Sequence, residues 1–375
     1  MRKIKCYFLG LMAMFIFSTA FAEDSINIAA IYALTGAAVT GKATNSNATS
    51  LQGVRYAVEE VNKQGGILGK QIKLLVLDNL STPIGSAIAA ERAVKAGVTA
   101  IVGSTWSSHS IAIAKVAQPQ GIPMISNMST NPEVTKIGNY IFRTSFTDNF
   151  QGKIMAQLAR KNLNAGTAVI FTDLTSDFSL MLAAIFRENF EKSGGKIVTE
   201  VKYKYKQVIF EREILQAQKA NADVWFLSGH NESGYIVKQA QDTGITSVFL
   251  GGDGWDAPNF LSKGGSELKR GYYCTHWSEF IDSELSRSFV KKYKHLNNFG
   301  VGTALGYDAF MVLADAIRRA GSTDRNKIRD ALANTRAFKG VTGTITFDAI
   351  GDPVKSAVIM EIKNGKPHYL SSLEP

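Results

Sequence analysis

Short apolar runs that favour β-strands alternate with amphipathic helical patterns from residue 26 onward. The predicted strands of the first series are 26–32, 72–78, 100–103 and 123–127. A helix is predicted over 51–63, where apolar residues recur at helical spacing and two glycines follow at the expected C-terminus. Strands and helices that alternate in this way are typical of a parallel sheet with crossover helices. The pattern therefore predicts an α/β lobe.

A second series of the same kind follows residue 144. Its predicted strands are 168–172, 197–203, 224–228 and 248–252, and its predicted helices are 180–192, 210–220 and 233–243. The stretch 283–334 has a mainly helical pattern, and the chain closes on two β-rich runs over 343–347 and 357–363. The polar segment 40–50 is predicted to form a loop near the end of the first strand. Two lobes of like architecture are thus expected.

The first 22 residues have the layout of a cleavable secretory signal. Three basic residues among the first five positions precede an apolar run over 7–16, and the small-residue site 20–22 follows. The apolar run is shorter than the roughly 20 residues that a membrane-spanning helix needs. We therefore expect cleavage after Ala22 and release into the periplasm. A lipoprotein would carry a cysteine at the next position, where this chain has Glu23.

Length and composition narrow the class of protein. A chain of 375 residues exceeds what a single hydrophobic core usually covers, so two domains are expected. The two cysteines are Cys6, inside the predicted signal, and Cys274, so the mature chain cannot form an internal disulfide. The formal net charge is +10, but the basic residues are dispersed and form no stripe that would fit a nucleic acid. No nucleic-acid partner is expected.

Signatures of catalysis and of metal or cofactor binding are lacking in the sequence. There is no phosphate-binding loop and no Gly-x-Ser-x-Gly motif, and the five histidines have no paired ligand spacing. We therefore expect no metal, no cofactor and no enzymatic activity. Catalytic residues that only folding brings together remain an alternative, which a turnover screen would expose.

Polar residues follow two predicted strands of the first lobe, at the sheet edge where open parallel sheets bind ligands. Ser107 and Ser108 precede an apolar helix, and Ser129 and Thr130 follow the next strand. Free backbone N–H groups and the positive end of the helix dipole suit a carboxylate at such a position. Ordinary helix capping and turn formation are the alternative for each pair.

The corresponding positions of the second lobe are acidic. Asp173 and Asp177 follow the strand 168–172, and Asp253 follows the strand 248–252. Neutral donors on one lobe and carboxylates on the other would complement an α-amino acid zwitterion across a cleft. A single aspartate after a strand is more often a cap or a solvated residue, but the combination of sites on two lobes favours the binding hypothesis.

Six motifs, in their order and spacing, give the mature chain a resemblance to a known family. They are 61–70 (VNKQGGILGK), 103–108 (GSTWSS), 121–126 (GIPMIS), 141–144 (IFRT) with Gln151 and Gly152, 306–309 (GYDA) and 343–348 (GTITFD). The chain resembles the type I periplasmic binding proteins of the Leu/Ile/Val-binding branch. The resemblance implies an α/β fold with two flavodoxin-like parallel-sheet lobes joined by a three-crossing hinge.

The resemblance also implies domain boundaries and a partner. Lobe 1 would comprise 23–145 plus 279–352, and lobe 2 would comprise 146–278 plus 353–375. The hinge would lie near residues 144–150, 275–280 and 350–356. The protein would be a monomer that binds one small molecule and delivers it to the permease subunits of an ABC importer.

Carried over position by position, the resemblance implies ligand-binding roles. Ser107 and Thr130 resemble the family's hydroxyl ligands for the substrate carboxylate. The backbone at Met128 would assist them, and Ser129, next to Thr130, is expected to belong to the same site. Asp253 stands where the family usually has a Glu that pairs with the α-ammonium group, and its side chain is one methylene shorter.

Two departures from the family pattern leave the ligand's identity open. Asp177 stands where the family usually has Tyr, and Gly229 stands where an aromatic residue often closes the pocket, so the position is expected to leave room for another side chain. Trp106 would restore an apolar wall, or is a buried structural residue. Alternatives to an amino acid are urea, a short amide or an aromatic acid. A ligand-sensing domain for a membrane partner is an alternative to transport.

Overall fold

The computed structural model of the protein describes residues 25–36, 46–256 and 258–375. The predicted signal peptide, residues 1–22, and part of the predicted loop, residues 40–45, lie outside the described residues. The loop prediction was wrong for 46–50, because the first helix begins at Ser46 and three of these five residues, Asn47, Thr49 and Ser50, are buried. Within the described residues, no helix is long and apolar enough to cross a membrane.

The first lobe is built on a five-stranded sheet of parallel strands. These are β1 (Ile26–Tyr32), β2 (Ile72–Asp78), β3 (Ala100–Val102), β4 (Met124–Ser126) and β5 (Ile141–Arg143). Their spatial order is β2-β1-β3-β4-β5. The crossover helices are α1 (Ser46–Lys63), α2 (Pro83–Lys95) and α3 (Ser107–Ala117). Apolar side chains of β1 alternate between two cores, one under α1 and the other under α2 and α3.

The second lobe repeats this plan. Its strands are β6 (Thr167–Asp173), β7 (Lys196–Tyr203), β8 (Val224–Leu227), β9 (Val248–Gly251) and β10 (Arg270–Thr275). Its helices are α4 (Asp148–Gln157), α5 (Asp177–Lys192), α6 (Glu211–Lys219), α7 (Glu232–Asp242) and the short α8 (Pro258–Ser262). The parallel strands follow the order β7-β6-β8-β9-β10, so the two lobes share one topology.

The remaining chain returns to both lobes. The helices α9 (Glu284–Tyr293), α10 (Val301–Ala320) and α11 (Arg325–Ala333) precede a small antiparallel sheet of β11 (Phe338–Gly340), β12 (Gly343–Phe347) and β13 (Pro353–Val354). Helix α10 packs against α1 in the first lobe. The last strands, β14 (Ala357–Lys363) and β15 (Lys366–Leu373), add antiparallel to the second sheet beside β10.

Three segments connect the lobes: 144–147 after β5, 276–283 after β10, and 355–356 before β14. The order 2-1-3-4-5 in each sheet is that of flavodoxin-like folds, which bind ligands where the connections diverge at the carboxyl ends of the strands. The predicted fold class, two flavodoxin-like parallel-sheet lobes joined by three crossings, is confirmed.

Candidate ligand-binding site

The loops at the carboxyl ends of the two sheets face each other and touch. Asn131, after β4, donates from Nδ2 to the backbone oxygen of Asp177 at the start of α5, at 3.1 Å. The ring of Trp106, after β3, lies 6.5 Å between centroids from that of His230, after β8, in an edge-on arrangement. These contacts join the lobes directly, so the strand-end residues that the sequence predicts to bind a ligand lie on opposite walls of one cleft.

The wall on the first lobe includes the N-terminus of α3. Ser107 is the first residue of this helix and is buried, and its hydroxyl accepts a hydrogen bond from the backbone N–H of Asn131 at 3.3 Å. No side chain caps the helix, since Trp106 occupies the N-cap position. The first N–H groups of a helix have no intrahelical acceptor, so a carboxylate suits this position.

The loop after β4 contributes Met128, Ser129 and Thr130, all buried. The Ser129 hydroxyl points into the first lobe, where it lies 2.7 Å from the hydroxyl of Ser110 and 3.2 Å from the backbone oxygen of Ser104. Thr130 accepts a hydrogen bond at its backbone oxygen from the N–H of Asp148 at 2.8 Å. Ser129 therefore braces the loop, whereas Thr130 adjoins the start of α4.

A fully buried arginine that sequence reasoning gave no role supports this loop. Arg143 donates from Nη1 to the backbone oxygens of Ser129 and Asn131, at 2.8 and 2.9 Å. Its Nε lies 2.6 Å from Oδ1 of Asp352, which belongs to the chain leading into the third crossing. Burial lowers the pKa of the guanidinium group, and the carboxylate of Asp352 offsets part of that effect. The Arg143 side chain thus holds the loop 128–131, after β4, in a fixed position relative to the chain that leads into the third crossing.

Asp253 follows β9 on the second lobe and is nearly buried, with 6% exposure. Its Oδ1 accepts from Nε2 of Gln151 at 3.0 Å, and its Oδ2 lies 3.1 Å from Nε2 of His276. Its backbone N–H donates to Oε1 of Gln151 at 3.1 Å. Asp253 is therefore held by two protein partners, and a ligand would share this carboxylate with them.

His276 lies in the second crossing and packs against Phe146 of the first crossing, with 3.7 Å between ring centroids and 33° between the ring planes. Burial lowers the pKa of His276 despite the adjacent Asp253 carboxylate, which favours the neutral imidazole. A neutral ring that donates from Nε2 to Asp253 leaves Nδ1 without a proton, and Nδ1 has no hydrogen-bond partner among the described residues. Sequence reasoning missed Gln151 and His276 as site residues; both belong to segments far from Asp253 in the chain.

Asp177 and Gly229 differ in their surroundings. The Asp177 side chain is exposed at the first position of α5, beside the contact with Asn131. At Gly229, a Cβ atom would lie 1.9 Å from the hydroxyl oxygen of Tyr203. The expectation that Gly229 leaves room for another side chain was therefore wrong, because the buried Tyr203 ring at the end of β7 already occupies that space.

Aromatic rings line the cleft between the lobes. Trp106 is half-buried and packs on His109 of its own lobe, with 5.0 Å between ring centroids. On the opposite wall, His230 packs on Phe178 at 4.6 Å. Sequence reasoning did not identify Phe178 and His230, although each follows the end of a second-lobe strand by only a few residues. The three rings of Trp106, Phe178 and His230 provide an apolar wall beside the polar groups.

Two depressions elsewhere on the described surface are not lined by groups from both walls of the cleft. One, of about 290 Å³, lies between the start of β5 and α11. The other, of about 210 Å³, lies beside α9 and contains Glu60, whose Oε2 is already bonded to Lys292, Tyr293 and Tyr307. The cleft is the better candidate site because groups from both lobes converge on it.

Comparison with known proteins gives a consistent result. A family model described as periplasmic binding protein matches residues 25–367. The leucine-, isoleucine-, valine-, threonine-, and alanine-binding protein of Pseudomonas aeruginosa is 28% identical over 340 residues, which cover 89% of each chain.

Two solved structures are closer in sequence. A leucine binding protein from Thermotoga maritima is 35% identical, with a TM-score of 0.87 over 93% of this chain and 99% of the other. A branched-chain amino acid transporter substrate binding protein from Streptococcus pneumoniae, solved with isoleucine, is 31% identical, with a TM-score of 0.86 over 94% of this chain and 100% of the other.

Proposed function

The chain belongs to the periplasmic binding protein family, and from this membership we propose that it is the substrate-binding component of an ABC importer. Its ligand is an amino acid, branched-chain or related, held in the cleft between the lobes. The names of the similar proteins from P. aeruginosa, T. maritima and S. pneumoniae support this ligand class. The two solved structures match 93% and 94% of this chain.

The observation that carries the proposal is the distribution of charge across the cleft. The first-lobe wall offers the hydroxyl of Ser107 and the uncapped N-terminus of α3, neutral donors that suit a carboxylate. The second-lobe wall offers the nearly buried carboxylate of Asp253, which suits an ammonium group. A zwitterion that lies between the walls would satisfy both. A monoanionic aromatic acid would leave the Asp253 carboxylate without a counter-charge.

The remaining predicted site residues take roles that fit this arrangement. Thr130 would turn its hydroxyl from Asp148 toward the ligand's carboxylate and, with the backbone at Met128, assist Ser107, while Ser129 braces the loop from inside. Trp106 forms part of the apolar wall for the ligand's side chain. Asp177 lies at the edge of the cleft. The backbone at Gly229 also borders the cleft, next to the hydroxyl of Tyr203.

Transport follows from the division into two lobes. Lobe 1 comprises 23–145 plus 279–352 and lobe 2 comprises 146–278 plus 353–375, apart from β13, which pairs with β12 beside lobe 1. A ligand that binds groups on both walls favours the arrangement in which the walls are in contact, as they are between Asn131 and Asp177. Ligand should thus shift the population toward the closed form, which is the form that the permease subunits would recognise. We expect a monomer in the periplasm, after removal of residues 1–22, that has no nucleic-acid partner and turns over no substrate.

Native mass spectrometry of freshly purified protein, followed by titration calorimetry, tests the proposal. The expected result is a retained amino acid and saturable binding of leucine, isoleucine or valine. Urea and benzoate are the comparison ligands. Binding of urea or benzoate without binding of any amino acid would contradict the proposal, and so would conversion of a bound ligand into another compound.

A further inference from the structure

Asp148 is a fully buried carboxylate between the two walls of the cleft, and no predicted role covers it. It is the first residue of α4, directly after the first crossing. Its backbone N–H bonds to Thr130, on the carboxylate-binding side, and its side chain shares a partner with Asp253, on the ammonium-binding side. Its Oδ2 accepts no well-formed hydrogen bond from the described residues. An unsatisfied buried carboxylate oxygen is costly and calls for a partner.

One amide group holds Asp148 and Asp253 together. Nε2 of Gln151 donates to Oδ1 of Asp148 at 2.6 Å and to Oδ1 of Asp253 at 3.0 Å, which uses both of its hydrogens. Oε1 of Gln151 accepts from the thiol of Cys274 and from the N–H of Asp253, at 3.3 and 3.1 Å. A neutral amide thus bridges two acids and cannot compensate two negative charges.

The groups around Asp148 do not supply the missing positive charge either. Arg143, at the end of β5, lowers the pKa of Asp148 through its positive charge, but Arg143 forms its ion pair with Asp352. From the other elements, His276 is favoured as neutral, and Cys274 and Asp256 bring no positive charge. Lys355 of the third crossing bonds to the backbone oxygen of Thr144 and to the hydroxyl of Thr342.

The pKa of Asp148 agrees with this geometry. Burial, followed by the charge of Asp253, raises the pKa of Asp148 to about 7, and the Thr130 hydroxyl, Gln151 and Arg143 offset only part of the rise. Two carboxylates that share one site cannot both ionise freely without a counter-ion. In the empty cleft at neutral pH, the pair therefore holds a proton in a substantial fraction of molecules.

We propose that Asp148 and Asp253 together form a two-carboxylate site for the ligand's ammonium group, which holds one proton when empty and releases it when the ammonium binds. The inference rests on the proposed function and adds to it a residue and a ligand requirement. The proton leaves the Asp148 carboxyl for solvent, and the cationic ammonium replaces its charge. The ligand class is then a primary ammonium compound, and the shorter reach of Asp253 relative to Glu is made up by the second carboxylate.

The sign of the pH dependence follows from the raised pKa. Well above pH 7, Asp148 is already ionised in the empty protein, so no proton is released and affinity is constant. Below about pH 7, the ligand must displace a proton, and Kd should rise by about tenfold per pH unit. Proton release should grow from near zero at about pH 8.5, through about one half at pH 7, toward one at about pH 6.

Titration calorimetry of the whole mature protein with L-isoleucine, in two buffers of different ionisation enthalpy at each pH, measures the released protons. Wild-type protein is sufficient for this test, so it does not depend on the folding of a variant. The expected result is that the number of protons released per bound ligand rises from near zero at about pH 8.5 toward one at about pH 6. Binding of isoleucine with no proton release at pH 6 would overturn the two-carboxylate site while leaving the proposed function intact.

Two aspartate variants then identify the residue. Asp148→Asn keeps the shape and is neutral at every pH, so it should abolish proton release and flatten the pH dependence of Kd, with weaker binding at pH 8.5. Asp256→Asn is the matched control, because burial raises the pKa of Asp256 to about 7 as well; this variant should release protons as wild type does. Loss of release in Asp256→Asn but not in Asp148→Asn would overturn the assignment.

A ligand without the ammonium group provides the last comparison. The deaminated analogue of isoleucine, 3-methylpentanoate, should bind far more weakly than isoleucine and take up or release no proton at this site. If the protein binds such acids and no amino acid, then both the two-carboxylate site and the proposed function are wrong.

Discussion

Arg143 and Asp352 form a buried ion pair, with 2.6 Å between Nε and Oδ1, that joins the last strand of the first sheet to the chain leading into the third crossing. Through Nη1, Arg143 also holds the backbone oxygens of Ser129 and Asn131. The conformation of the predicted carboxylate-binding loop therefore depends on a residue that does not need to touch the ligand.

Arg143→Met should lower the free energy of unfolding by about 3–5 kcal/mol, because it leaves the Asp352 carboxylate without its counter-charge and two backbone carbonyl oxygens without their donor. Asp352→Asn should cost a similar amount, because it leaves the fully buried Arg143 guanidinium without its counter-charge even though the amide can still accept a bond from Thr135. The double variant should be less destabilised than the sum of the single effects, as expected for residues in direct contact. Urea unfolding of the four proteins checks this; strictly additive effects would contradict the coupling.

Ser107 and Thr130 should each contribute to ligand affinity. Ser107→Ala and Thr130→Val should each weaken amino-acid binding by about 1.5–3 kcal/mol, the range for one hydrogen bond to a charged group, because the backbone donors remain. Ser288→Ala, on the exposed face of α9, is the control. Calorimetry that finds unchanged affinity in both variants would reduce these residues to structural roles.

Strands with continuous apolar runs were predictable from the sequence. β1, β2 and β14 begin and end at the predicted residues, because each is a run of β-favouring residues bounded by polar positions. β5 was not predicted, since it has three residues, one of which is the buried Arg143. β10 and β15 were also missed, because their sequences, RGYYCT and KPHYLSSL, lack a clear apolar period.

The candidate site was predictable only in part. Residues that directly follow strands, such as Ser107 and Asp253, stand out because strand ends meet at one sheet edge. Asp148, Gln151 and His276 come together only through the crossings, so their proximity to Asp253 depends on tertiary structure. A local pattern did exist, since Asp148 and Gln151 are three residues apart on one face of a helix.

The space beside Gly229 offers a test of packing. Gly229→Ala should destabilise the protein by about 1–3 kcal/mol, because its methyl group would overlap the hydroxyl of Tyr203, a ring too buried to move freely. Tyr203→Phe removes that hydroxyl and should by itself change stability little. The combined variant should recover much of the loss in thermal unfolding. Equal midpoints for Gly229→Ala and the combined variant would show that the Tyr203 hydroxyl is not the obstacle.

The contacts of Asp253 determine what its replacement does to the empty protein. In Asp253→Asn, the amide oxygen can still accept from Gln151, and the amide nitrogen faces Nε2 of His276. A neutral imidazole can move its proton to Nδ1, which has no other partner, and then accept at Nε2. We therefore expect the empty variant to lose only about 0.5–1.5 kcal/mol of stability, the net value of one hydrogen bond.

Ligand binding should suffer much more in Asp253→Asn than folding does. An ammonium group in a closed cleft has little water, so removal of its partner charge costs roughly 3–5 kcal/mol, of which Asp148 would restore a part. We expect affinity for isoleucine to fall at least about a hundredfold, equivalent to roughly 2.7 kcal/mol. Calorimetry at about pH 8.5, where Asp148 is ionised in the empty protein, with the unliganded thermal midpoint as the folding control, measures this loss. If the variant binds isoleucine as tightly as wild type, the ammonium group does not lie at Asp253, and the carboxylate serves only to hold Gln151 and His276 in place.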